Sequence, residues 1–91
     1  SKNRMEMKYK LGDELTIRFY DHMSETPVWH DKQYIDKVPT PIGSAKGYYV
    51  SEDEISIKIA SMVMFDNKGR ITDMGSCHII VKGAIIDIKN Q

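Results

Sequence analysis

The chain has 91 residues, 41% hydrophobic and 29% charged, with 13 basic residues balanced by 13 acidic ones and a single cysteine. That length leaves room for one thin core and not for two domains, and the composition lies in the globular range, away from disorder or collagen-like repeats. One cysteine excludes an intrachain disulfide, the scattered His22, His30, Cys77 and His78 lack zinc-ligand spacing, and a balanced charge argues against a duplex-binding surface, whose affinity comes from phosphate neutralisation.

The opening residues 1–12 alternate charge with single apolar residues (Met5, Met7, Tyr9, Leu11), as a frayed arm or an edge strand does, and carry no apolar stretch of the kind a signal peptide needs. Residues 13–91 are read as one domain. Its first strand runs over 14–20, where Leu15, Ile17 and Phe19 alternate with Thr16, Arg18 and Tyr20, so the first three face a core. Residues 21–44 hold all three prolines and several turn formers, and read as one long loop; unstructured connections of that length are commonly functional. A second strand is expected over 46–50, a charged turn over 51–54, and a third strand from Ile55 through Ile57 and Ile59 toward Val63 or Phe65. Asp66-Asn67-Lys68-Gly69-Arg70 is strong turn chemistry, since Asn and Gly tolerate positive φ. Strands over 76–82 and 84–89, separated by Gly83, close the chain. The pattern predicts an all-β fold, a small five-stranded SH3-like or Sm-like barrel with a long first loop. No apolar run is long enough to cross a bilayer, so a cytoplasmic protein is expected. The thin core and the apolar last strand favour a homo-oligomer.

The stretch Gly47-Tyr48-Tyr49-Val50-Ser51-Glu52-Asp53-Glu54, followed by Ile57, Ile59, Ala60 and Ser61, resembles a group of short phage and prophage proteins without assigned function. The similarity continues through Ile80-Val81-Lys82-Gly83 and residues 85–88, and Trp29-His30-Asp31 looks like the tryptophan-aspartate element of that group. The resemblance implies a viral or mobile-element origin and a small β-barrel. It also implies the class of phage proteins that sequester nucleotide signals of bacterial defence. It transfers no catalytic residue.

Candidate ligand contacts follow from residue type. Trp29, His30 and Tyr34 put aromatic faces and an imidazole on the long loop, where a flat ligand could stack, or where Trp29 could instead cap the open end of the core. Tyr48 and Tyr49 are strand neighbours, so one points inward and the other outward; an outward tyrosine is a stacking surface or an interface residue. Arg18, Lys58 and Arg70 are the cations placed to meet a phosphate-bearing ligand, against the alternative of a solvated charged face. Cys77 and His78 face opposite sides of one strand, so His78 cannot act as base for Cys77. The His22/Asp21 and His30/Asp31 pairs are a weak metal or proton-relay pattern. Gly43-Ser44-Ala45-Lys46-Gly47 has a phosphate loop's composition without the following Ser or Thr and helix. No nucleophile, base and orienting group come together, so the expectation is non-catalytic binding without a cofactor. The expected ligand is a small phosphorylated, nucleotide-like molecule; the alternative is a single-stranded nucleic-acid or protein adaptor.

Overall fold

The computed structural model describes residues 8–22, 24 and 28–91. Residues 1–7, most of the expected N-terminal arm, lie outside the described residues. Five antiparallel strands, β1 (Glu14–Tyr20), β2 (Ile42–Glu52), β3 (Ser56–Phe65), β4 (Ile71–Val81) and β5 (Ile85–Asn90), form one open sheet in the order β4-β3-β2-β1-β5. The all-β expectation holds; among the described residues the sheet does not close into a barrel, because β4 and β5 are its two unpaired edges. A 3₁₀ turn at Lys82–Ala84 joins β4 to β5 and takes the place of the simple break expected at Gly83.

Period-two alternation builds the core. Leu15, Ile17, Tyr49, Ile57, Ile59 and Ile80 are buried together, with Phe19, Ile85 and Ile88 packed against them. The Tyr9 ring meets Tyr49 at a centroid distance of 5.6 Å, which ties the segment before β1 to this core. Tyr49 thus faces inward and Tyr48 outward, as the alternation requires.

Three segments differ from expectation. The connector after β1 is not one loop: a helix, α1 (Lys32–Lys37), forms within it because the Asp31 carboxylate accepts from the Tyr34 N–H at 2.8 Å, and Pro39 stops it just past Val38. The second strand begins at Ile42 instead of Lys46, since residues 42–47 pair with β1; glycine suits position 43 because the Phe19 ring packs over it, 2.7 Å from where a Cβ would sit. The fourth strand begins at Ile71 instead of residue 76, because the Asp66–Arg70 turn, where the Asp66 carboxylate accepts from the Arg70 N–H, closes a hairpin whose pairing extends to Phe65 and Ile71.

That hairpin is longer than the sheet behind it. The β2–β3 ladder runs from Glu52 opposite Ile57 to Tyr48 opposite Ala60, and residues 42–47 of β2 pair with β1 alone. Beyond Ala60, β3 therefore pairs with β4 alone, and residues 61–65 and 71–76 project as a two-stranded ribbon. Two backbone features mark the departure point. Ser76 sits at φ 53°, and a Cβ on Gly47 would come within 2.8 Å of the Ala60 carbonyl oxygen.

Candidate functional site

Because the sheet is open, its β4 edge faces the end of β1 across a groove of about 480 Å³. Phe19 and Tyr20 from β1 form one wall, and residues 77–81 of β4 the other, with Ala45 and Ala84 between them. Asp21 and His22 follow β1 at the groove, where the Asp21 N–H donates to the Pro41 carbonyl at 2.9 Å and the Asp21 carboxylate accepts from the His22 N–H at 2.8 Å. The Tyr20 ring is half exposed. His78 Nε2 lies 3.5 Å from the Ser61 hydroxyl. An aromatic face, apolar walls and two imidazoles thus share one concavity, and its volume falls within the roughly 300–1,000 Å³ of small-molecule sites.

The residues singled out from the sequence do not converge there. His30 and Tyr34 do come together, their rings stacked at 4.1 Å and 16° on the connector, with His30 Nε2 buried and unpaired among the described residues. Trp29 beside them is 101% exposed, so within one chain it does not cap the core. Tyr48 lines a separate depression of about 230 Å³ with Glu14, Thr16, Lys46, Ser61 and Gln91.

The cations are dispersed as well. The Arg18 guanidinium binds both Asp87 oxygens, with Nε at 3.1 Å from each, and this hydrogen-bonded pair raises the arginine's pKa and lowers the carboxyl's. Arg70 is held at the hairpin turn by Asp66, whose carboxyl is lowered by the Arg70 and Lys68 N–H groups and the Arg70 side chain against the opposing effect of burial. Lys58 stands on the outer face of β3, opposite Ile79, and forms no ion pair among the described residues.

At the far end of the core, Glu52 accepts from the Tyr49 hydroxyl at 2.9 Å and pairs with Lys82 at 2.6 Å. Burial, then the Glu52 hydrogen bond, pushes the Tyr49 phenol up to about 12. Burial pushes the Glu52 carboxyl up as well, but the bonds from Lys82 and Tyr49 outweigh it and leave its pKa lowered. The network is structural: it fastens the end of β4 to β2.

Sequence reasoning missed the groove because its walls come from β1 and β4, and only the sheet order brings them face to face. One signal was present: Ile79-Ile80-Val81 breaks the alternation that a strand with one solvated face shows. Among the described residues no group of three or more His, Cys, Asp or Glu stands together to hold a metal ion, and no helix is long and apolar enough to cross a membrane. No family model, curated protein or solved structure matches the chain.

Proposed function

We propose that this chain is a non-catalytic binding protein, built on the frame of a small SH3-like or Sm-like barrel, that works as a homo-oligomer and sequesters a small phosphorylated, nucleotide-like ligand. The phage resemblance suggests a cytoplasmic sponge for a nucleotide-derived defence signal. The observation that carries the reading is the groove: Tyr20 offers a ring face for a base, and His22 and His78 offer N–H donors for phosphate oxygens. Arg18 and Arg70 already hold carboxylates, so each would have to leave Asp87 or Asp66 to reach a phosphate.

The test is calorimetric titration with mononucleotides, dinucleotides and cyclic nucleotides. Binding at micromolar affinity or better is expected for one class. Tyr20→Ala should weaken it roughly 5- to 150-fold, the ~1–3 kcal/mol of one stacked base. No binding across the panel rejects the reading.

One observation favours the adaptor alternative. The fully exposed Trp29 beside the His30–Tyr34 stack is a platform of the kind on which single-stranded bases lie. Binding of an oligonucleotide that is lost in Trp29→Ala, with Tyr20→Ala silent, would select it.

A further inference from the structure

The β3–β4 hairpin has two faces, and among the described residues the outer one carries a run of exposed apolar side chains beside the buried Ser56 and Ala60. Residues opposed in an antiparallel ladder point to the same side. On the inner side Ile57 opposes Ile80 and Ile59 opposes His78, which is the core side; toward the tip Ile71 lies against the Gly12 turn, its Cδ1 2.9 Å from where a Cβ on Gly12 would sit. The outer side holds the pairs Ser56–Val81, Lys58–Ile79, Ala60–Cys77, Met62–Gly75 and Met64–Asp73. Here Ile79 is 66% exposed, Met64 65%, Met62 61% and Val81 54%, and Cys77 is exposed too.

These side chains make an apolar patch on the order of 500 Å², the size at which exposed patches mark interaction sites. That is over half of the roughly 800 Å² each partner gives to a stable interface.

We infer that this outer face packs on the same face of a second copy of the chain, about a two-fold axis crossing the strands between the Ala60–Cys77 and Met62–Gly75 pairs. The charges point to a second copy in this register. The face carries only two ionic side chains, Lys58 near one end and Asp73 near the other. The two-fold sets the Lys58–Ile79 pair of one copy against the Met64–Asp73 pair of the other, so both lysines meet an aspartate. An axis along the strands would instead set each Lys58 near its own symmetry mate.

Cys77, Ile79 and Val81 also line the groove, so the second copy would stand against its β4 wall. That consequence rests on the groove reading; the assembly does not.

The test is sedimentation equilibrium of the ligand-free chain, with circular dichroism to confirm that each variant is folded. The expected mass at micromolar concentration is twice 10.5 kDa. Ile79→Asp, at an exposed position, should give a folded monomer. Lys58→Asp and Asp73→Lys should each raise the dimer dissociation constant at least tenfold, and the double swap should restore it. A monomeric parent chain, an assembly that tolerates Ile79→Asp, or single reversals that the double swap does not rescue would each overturn the inference. Because no nucleotide is present, failure of the ligand titration leaves this result standing, and the reverse.

Discussion

The outer faces of the two ends of the sheet are built from different chemistry. On the β1–β5 side, Thr16 opposes Lys89 and Arg18 opposes Asp87, and the arginine and aspartate hold each other through two-pronged hydrogen bonds. On the β3–β4 side the corresponding positions are Met62, Met64, Ile79 and Val81, more than half exposed. Both ends direct the same kind of residue inward, the buried Ile17 and half-buried Ile88 at one and the buried Ile57 and Ile80 at the other. The contrast therefore lies in the solvent side alone. One end is finished as a single chain, whereas the other carries a surface that in most proteins is covered. β2 joins them, pairing with β1 along its first half and with β3 along its second.

The largest expected effect lies at that joint. Gly47 opposes Leu15 on one side and approaches Ala60 and Ile59 on the other, and an added Cβ would stand 2.8 Å from a backbone oxygen that no rotamer change can move. Gly47→Ala should cost about 2–3 kcal/mol by urea denaturation, the range for overpacking at a tight contact. A neutral result would mean that the two halves are not held together so closely, and the contrast between a finished end and a projecting one would lose its frame.

Next is the network fastening the apolar end to β2. Removing the charge that Glu52 offers to Tyr49 and Lys82 should cost about 1–3 kcal/mol in Glu52→Gln. The pH dependence has two limbs. Glu52 has a lowered pKa in the folded chain, so its contribution is present above the ordinary value of 4.5 and disappears as pH falls through the lower folded value. Tyr49 has a raised one, so its contribution is full below pH 10 and is lost as pH climbs toward 12. Urea midpoints from pH 3 to 11.5 should fall at both extremes, and Glu52→Gln should flatten part of the acid limb. If the two curves have the same shape, Glu52 does not hold β4 as described.

The inner half of this fold was legible and the outer half was not, for a physical reason. Leu15, Ile17, Ile57 and Ile59 declare their side by alternating with polar neighbours, and the structure buries all four. The alternation also required one of Tyr48 and Tyr49 to face inward, and the structure makes it Tyr49. What alternation does not report is register, so the extension of β2 back to Ile42 and of β4 back to Ile71 became visible only through their partners. The six-residue helix was signalled by Asp31 and Pro39, but those local cues were outweighed by the proline count of the whole segment. Site residues chosen by type alone scattered. Arg18 faces a carboxylate that sequence distance conceals, Asp87 being 69 positions away, and Arg70 is taken up by Asp66 within its own turn. The groove required the sheet order, which no local pattern encodes.

A smaller effect sharpens the contrast on its polar side. Arg18→Ala removes an exposed ion pair, and exposed pairs contribute little because solvent screens them and ordering two side chains costs entropy. Its melting temperature should stay close to that of the parent chain, with a slightly weaker salt dependence. A large drop would mean that the β1–β5 end depends on its outer face after all.

The smallest expected effect tests the premise behind the whole comparison, that an exposed apolar side chain adds nothing to the stability of the single chain. Trp29 is the extreme case: its side chain is fully exposed, and its neighbours His30 and Tyr34 stack on each other. If it capped the core in solution, Trp29→Ala would remove buried aromatic area and cost about 3–5 kcal/mol. With the side chain fully exposed, the change should stay within about 0.5 kcal/mol, as for other surface substitutions. Urea denaturation of the variant at a concentration low enough to keep the chain monomeric separates the two cases by a wide margin. Repeating the measurement where the chain assembles adds a second reading. A Trp29→Ala cost that emerges only with rising protein concentration would place the indole in a contact between copies and extend the unfinished surface from the β3–β4 ribbon to the connector. A cost present at all concentrations would instead show that exposure in the single chain is a poor guide to what covers a side chain, and the apolar β3–β4 face would lose its claim to be different.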